Sequence, residues 1–194
     1  MEDLKYVLNV TTNLNKHQES DWEVLRSVSG TTSKWVDDVI HEFLNEGLLK
    51  NPETAKVFAS PELQESSLKG LRWYFGELLA GNKPANFWEH MWTVGMIHIY
   101  RGVKIAFVLG ITARVQELVL VKAFQSFPPN QALEVFTAFH RISSTTATIL
   151  VKSYQIGLLT GLTKVGMNES LIDRVKTTAV RKMIEEMRGQ AASA

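Results

Sequence analysis

All the prolines of this 194-residue chain lie at positions where helices should begin. Each one precedes a segment with apolar residues at every third or fourth position; the prolines are Pro52, Pro61, Pro84, Pro128 and Pro129. Proline is tolerated in the first turn of a helix and disrupts the helix interior, so this placement marks helix starts. No stretch alternates apolar and polar residues up to a hairpin turn. The sequence therefore predicts an all-α fold.

Glycines provide the matching stop signals, because glycine readily adopts the left-handed conformation that ends a helix. Gly81, Gly102 and Gly166 each follow an apolar helical pattern. Together with the prolines they predict helices over residues 4–27 (with a break near 13–15), 31–44, 52–59, 61–80, 84–101, within 103–127, 130–164 and 169–187.

Composition excludes several classes of function. The chain has no cysteine, which removes disulfides, thiolate metal sites and cysteine nucleophiles. Its net charge is +1 without a basic stripe, so we expect no nucleic-acid partner. The most apolar stretch, residues 142–165, carries Lys152 and many hydroxyls, so we predict a buried helix and no membrane span. No secretory signal is visible, and we expect a cytoplasmic protein.

His98 is the histidine in an unusual setting. It shares a helix face with Met91 and Val94, and Gly95 removes a side chain one turn before it. A haem needs this arrangement, one imidazole for the iron and apolar surface for the porphyrin. A core histidine hydrogen-bonded to a backbone carbonyl fits the same spacing, so periodicity alone leaves both interpretations open.

The residues around His98 resemble those of the bacterial globin-coupled sensors and the related protoglobins. The resemblance rests on Val94-Gly95-Met96-Ile97-His98, then Gly102-Val103 and Gly110; upstream it includes Val36-Asp37-Asp38 through Leu44, Leu48-Leu49, Asn51-Pro52-Glu53, Phe58-Ala59, Tyr74-Phe75 and Leu78-Leu79-Ala80-Gly81. Order and spacing are preserved over residues 22–160, which is more specific than any single motif.

This resemblance implies a globin-like helical sandwich in residues 29–165, with a helical extension over 1–28 and an amphipathic helix and tail over 166–194. It also implies a b-type haem with His98 as the iron ligand, and a diatomic gas (O2, CO or NO) bound opposite. The pocket residues that we expect around the haem are Met91, Val94, Gly95, Ile40, Leu71, Tyr74, Phe75 and Phe107.

The distal side departs from the family pattern. Sensor globins usually place a tyrosine in the second helix, whereas an alignment without gaps puts Ile40 there. Ile40 donates no hydrogen bond, which favours CO or NO over O2. A shift of one residue would bring His41 near the iron, and Tyr74 is the other candidate for a polar distal group. Lys69 and Arg72 are candidates to neutralise the haem propionates.

We expect a gas sensor that acts through a homodimer or a separate signalling partner, and not an enzyme, because no catalytic motif is visible. Relatives dimerise through their last two long helices, which here are 130–164 and part of 103–127. Gly157 and Gly161 lie at i and i+4 there and allow another helix to approach. The alternative is a haem-free globin-like module that serves in signalling or dimerisation, with or without an apolar ligand.

Overall fold

The computed structural model describes residues 2–58 and 60–192, and every regular element among them is helical. The α-helices are α1 (Glu2–Asn15), α2 (Glu19–Ser27), α3 (Ser29–Thr32), α4 (Val36–His41), α5 (Pro52–Val57), α6 (Pro61–Leu79), α7 (Phe87–Tyr100), α8 (Ile105–Ser126), α9 (Pro129–Lys164), α10 (Glu169–Arg174) and α11 (Val180–Ala192). The all-α prediction is confirmed. Ala59 of the predicted helix 52–59, residue 1, and residues 193–194 of the predicted tail lie outside the described part.

Helix starts follow the predicted signals. α5 and α6 begin at Pro52 and Pro61, directly after Asn51 and Ser60. The Asn51 side chain accepts a hydrogen bond from the backbone N–H of Glu53, and Ser60 accepts one from the third residue after it. These side chains therefore satisfy backbone donors that a helix start leaves without partners.

The glycines predicted to end helices adopt left-handed backbone conformations. Gly81, Gly102 and Gly166 have φ angles of 68°, 69° and 94°. They follow α6, α7 and α9, so the predicted ends of these helices lie within two residues of the observed ones.

The predicted helix 31–44 is divided into shorter pieces. A 3-10 turn (Ser33–Trp35) precedes α4, and a π-helical segment (Glu42–Leu48) follows it without interruption. The predicted helix 4–27 is also divided, since Lys16 between α1 and α2 has a φ of 61°. This break lies next to the one predicted near residues 13–15, whereas the division of helix 31–44 was not predicted.

The α1–α2 turn is anchored in a polar cluster on α9. The Asn15 side chain donates to the backbone carbonyl of Arg141 (3.1 Å) and to the Thr145 hydroxyl (2.8 Å). Asp21 contacts both the His17 ring (2.9 Å) and the Arg141 guanidinium (3.3 Å). Burial lowers the pKa of His17, whose side chain is 5% exposed. The predicted extension thus packs within the main body.

The chain divides into two units, one ending at Tyr154 and the other beginning at Gln155. The first unit has an aromatic core. In it the Trp22 ring packs edge-to-face against Phe87 and Trp88, with centroid distances of 5.1 Å and 6.3 Å. The second unit contains the end of α9, α10, a π-helical segment (Val175–Ala179) and α11. Its exposed apolar side chains include Leu171, Val175, Val180, Met183, Ile184 and Met187.

No helix in residues 2–58 and 60–192 combines the length and the apolar character needed to cross a membrane.

Candidate functional site

The first unit contains a largely apolar cavity of about 380 Å³. Residues from α6, α7, α8, α9 and the π-helical segment 42–48 line it. Seven of the nine residues predicted to form the site are among them: Leu71, Tyr74, Phe75, Met91, Val94, His98 and Phe107. Most of the residues that helical spacing predicted to form the site therefore line the same cavity. A volume of this size suits a small-molecule ligand.

α7 contributes one continuous wall of the cavity. Met91, Val94 and His98 face it, as the spacing predicts, together with Ile97 and Arg101. Side chains three or four residues apart lie above one another on a helix, so a single face supplies this whole wall.

The His98 imidazole is neutral near pH 7. Burial lowers its pKa to about 4, and the nearby Arg101 guanidinium lowers it in the same direction. The Nδ1 atom is buried and has no hydrogen-bond partner among the described residues. A neutral imidazole has a ring-nitrogen lone pair available for a metal, which makes His98 a competent ligand.

Tyr154 of α9 packs beside His98. Its ring centroid lies 6.2 Å from that of His98, and its hydroxyl donates to the backbone carbonyl of Val103 at 2.8 Å. The phenol thereby connects α9 to the turn that follows α7. Sequence reasoning missed Tyr154, because only the packed fold brings it beside His98.

Gly95 does not line the cavity. A Cβ atom at this position would lie 1.7 Å from the Ser153 hydroxyl oxygen and 3.0 Å from the Leu150 carbonyl oxygen, both on α9. The glycine therefore allows α7 and α9 to approach closely. The prediction that Gly95 makes room for a flat ligand is wrong, because this side of α7 is already covered by another helix.

Ile40 does not line the cavity either. It is buried in the core, with 4% of its surface exposed, while Phe43 and Leu48 of the π-helical segment face the cavity. The Phe43 ring packs 5.8 Å from the Phe75 ring. The prediction that Ile40 lines the pocket is therefore wrong, and Phe43, three residues later, lines the cavity. His41, the alternative under a shifted alignment, is exposed and lies outside the lining.

Tyr74 places a phenol in the cavity wall. Burial raises the pKa of Tyr74 to about 12, so the hydroxyl stays protonated near neutral pH. Its ring stacks with Phe87 at 6.2 Å between centroids. Tyr74 is therefore a protonated phenol in the cavity wall whose ring packs against another aromatic side chain.

Arg101 is the arginine at the cavity, whereas Lys69 and Arg72 lie on the exposed face of α6. The Arg72 guanidinium is 2.6 Å from an Asp37 carboxylate oxygen, outside the lining. The exposed cavity residues His90, Ser66 and Gly70 mark an opening between α6 and α7. Arg101 is therefore the residue that could pair with an anionic group in the cavity, in place of Lys69 and Arg72.

Comparisons with known proteins agree with this architecture. The globin domain of the Geobacter sulfurreducens globin-coupled sensor superimposes with a TM-score of 0.67 at 20% identity, covering 75% of this chain and 96% of that domain. At this identity the likeness shows the globin-like fold alone. No curated protein matches the chain. The Protoglobin family profile matches residues 2–159, which is most of the sequence. The chain therefore belongs to the Protoglobin family.

Proposed function

We propose that the cavity of the first unit binds a b-type haem, with His98 as the iron ligand from the protein, and that a diatomic gas binds on the opposite side of the iron. The observation that carries the proposal is the neutral His98 imidazole in the wall of an apolar cavity, with a buried Nδ1 that has no hydrogen-bond partner in residues 2–58 and 60–192. Haem supplies an iron that binds O2, CO or NO. The role is one of binding and sensing in the cytoplasm, without dedicated catalysis.

The remaining lining residues suit the same group. Leu71, Phe107 and Val94 offer apolar surface for a porphyrin, and the opening between α6 and α7 gives its carboxylates access to solvent. Arg101 borders the cavity beside His98, where its positive charge would stabilise a propionate. Membership of the Protoglobin family supports this assignment independently of the cavity.

The proposal is tested by visible absorption spectra of the purified protein as isolated, after reduction, and after reduction with CO. We expect a strong Soret band that shifts when CO is added, because a reduced haem with an open position binds CO. The reduced spectrum also shows whether a second side chain occupies that position. A colourless protein that takes up no added haemin would contradict the proposal and leave the haem-free globin-like module as the function.

We also propose that the chain forms a homodimer through α9 and part of α8, which passes gas occupancy on within the dimer or to a separate signalling partner. Exposed apolar side chains support this surface. Phe124 near the end of α8 is 50% exposed, and Leu133 near the start of α9 is 57% exposed. An added Cβ at Gly161 would meet no described atom within 4 Å. Apolar surface of this kind is typical of an interface.

Light scattering at micromolar concentration should give the mass of two chains. Phe124→Glu should shift the mass towards one chain, because a carboxylate would be buried without a partner. Leu14→Glu is the matched control, since Leu14 on α1 is 79% exposed but lies outside the proposed surface. A monomeric wild type, or equal effects of the two substitutions, would contradict this interface.

A further inference from the structure

The middle of α6 contains a glycine that the backbone does not require. Gly70 lies equally far from the first and last residues of this helix, and its φ is not positive. Glycine is one of the least favourable residues in the interior of a helix, because it loses the most conformational freedom there. Neither a turn nor the end of a helix therefore explains Gly70.

Close packing does not explain Gly70 either. An added Cβ would meet no atom of the described residues within 4 Å, whereas an added Cβ at Gly95 would collide with α9. Gly70 is exposed, and it lines the cavity. The missing side chain thus leaves a gap in the cavity wall.

This gap lies at the centre of the α6 face that lines the cavity. Residues three or four positions apart share a helix face. The lining residues one turn before and one turn after Gly70 are Ser66, Ser67, Trp73 and Tyr74. The rings of Trp73 and Tyr74 both pack against Phe87, with centroid distances of 5.9 Å and 6.2 Å. Packing against Phe87 keeps both rings out of the gap.

The gap adjoins the cavity region proposed for the haem. Gly70 of α6 and His90 of α7 border the same opening, and His98 lines the cavity from α7. α6 thus forms the wall across the opening from the helix that carries His98. A diatomic gas consists of two atoms and needs no gap in this wall, whereas a longer ligand does.

We propose that Gly70 determines which ligands this cavity accepts, by leaving space for a small organic ligand of the iron that carries an apolar tail. The proposal rests on the haem function proposed above and extends it beyond diatomic gases. Leu71 and Trp73 beside the gap offer the apolar surface that such a tail needs. Gly70 is a specificity-determining residue because it lacks a side chain.

Gly70→Val is the direct test, since valine fills the gap and is a better helix former than glycine. The probes are methyl, ethyl and n-butyl isocyanide, which should bind the reduced, haem-loaded wild type without a loss of affinity as the tail lengthens. n-Butyl isocyanide should bind Gly70→Val at least about tenfold more weakly, because the tail and the valine compete for one space. The CO affinity should change by less than about twofold, because CO has no tail to meet the valine.

Gly76→Val is the matched control. Gly76 belongs to the same helix, an added Cβ there also meets no described atom within 4 Å, and the residue lies outside the cavity lining. Both substitutions replace a glycine within α6, so both variants should fold with at least the stability of the wild type. Gly76→Val should bind each isocyanide as the wild type does.

Three results would overturn the proposal while haem binding stands. The first is a wild type whose affinity falls steadily as the isocyanide tail lengthens. The second is an equal affinity for n-butyl isocyanide in Gly70→Val and Gly76→Val. The third is an equal loss of CO and n-butyl isocyanide in Gly70→Val, because the gap would then be the position of the gas itself. A wild type without a Soret band would instead refute the proposed function.

The gap can also be tested in the haem-free protein, with the fluorescent dye anilinonaphthalene sulfonate as a probe of apolar surface. Gly70→Val should lower the affinity for the dye at least about threefold, because valine occupies part of the binding space. Gly76→Val should leave this affinity unchanged. Equal affinities in the wild type and both variants would overturn the proposal whatever the haem content.

Discussion

His98→Ala is expected to remove haem binding. The substitution deletes the half-buried imidazole in the cavity wall, whose Nδ1 atom is buried, and the other histidine of the described lining, His90, is exposed. Loss of a group that hydrogen-bonds to a metal ligand typically costs 10–100-fold in metal affinity. Loss of the ligand itself should therefore cost at least about 100-fold. The measurement is the Soret absorbance per chain after purification and after titration with haemin.

Imidazole added to His98→Ala separates a lost ligand from a lost fold. The substitution leaves a space in which free imidazole can sit, so millimolar imidazole should restore part of the Soret band. His41→Ala serves as the control, because His41 is exposed at the end of α4 and outside the cavity. Haem retained at wild-type levels by His98→Ala, or lost equally in His41→Ala, would refute the assignment of His98.

The part of the cavity wall that α7 forms could be predicted because it lies within one helix. The spacing of Met91, Val94 and His98 is fixed by the 3.6-residue period, so the sequence alone places them on one face. All of them line the cavity. Gly95 belongs to the same helix but faces α9, and nothing local to α7 indicates which side the neighbouring helix covers.

The residues contributed by the segment after α4 could not be placed in the same way. The backbone there continues as a π-helical segment, which changes the angle between successive side chains. Phe43 of that segment faces the cavity, and Ile40 of α4 lies in the core. Nothing local to the sequence indicates where the helical geometry changes.

Arg101 was missed because its place at the cavity depends on how the helices pack. It follows α7 directly, and nothing in the sequence favours it over Arg72 as a charge beside the cavity.

Gly81→Ala is expected to cause the largest loss of stability among substitutions that remove no side-chain contact. Gly81 has a φ of 68°, and an added Cβ would lie 2.2 Å from the backbone nitrogen and 2.6 Å from the Cα of Arg26 on α2. These are backbone atoms, so no side-chain rotation relieves the contact. The left-handed conformation costs roughly 1–2 kcal/mol and the overpacking about 1–3 kcal/mol. We expect a loss of about 2–5 kcal/mol in the free energy of unfolding, measured by urea denaturation.

Gly102→Ala isolates the contribution of α2, because Gly102 has almost the same φ, 69°, with no atom within 4 Å of an added Cβ. Its cost should be about 1 kcal/mol, since alanine also reduces the entropy of the unfolded chain. The difference between the two variants therefore measures how closely α2 approaches the turn after α6. Equal losses would mean that backbone conformation alone requires Gly81. A larger loss for Gly81 would establish that this glycine has a packing role in addition to ending a helix, which the sequence could not reveal.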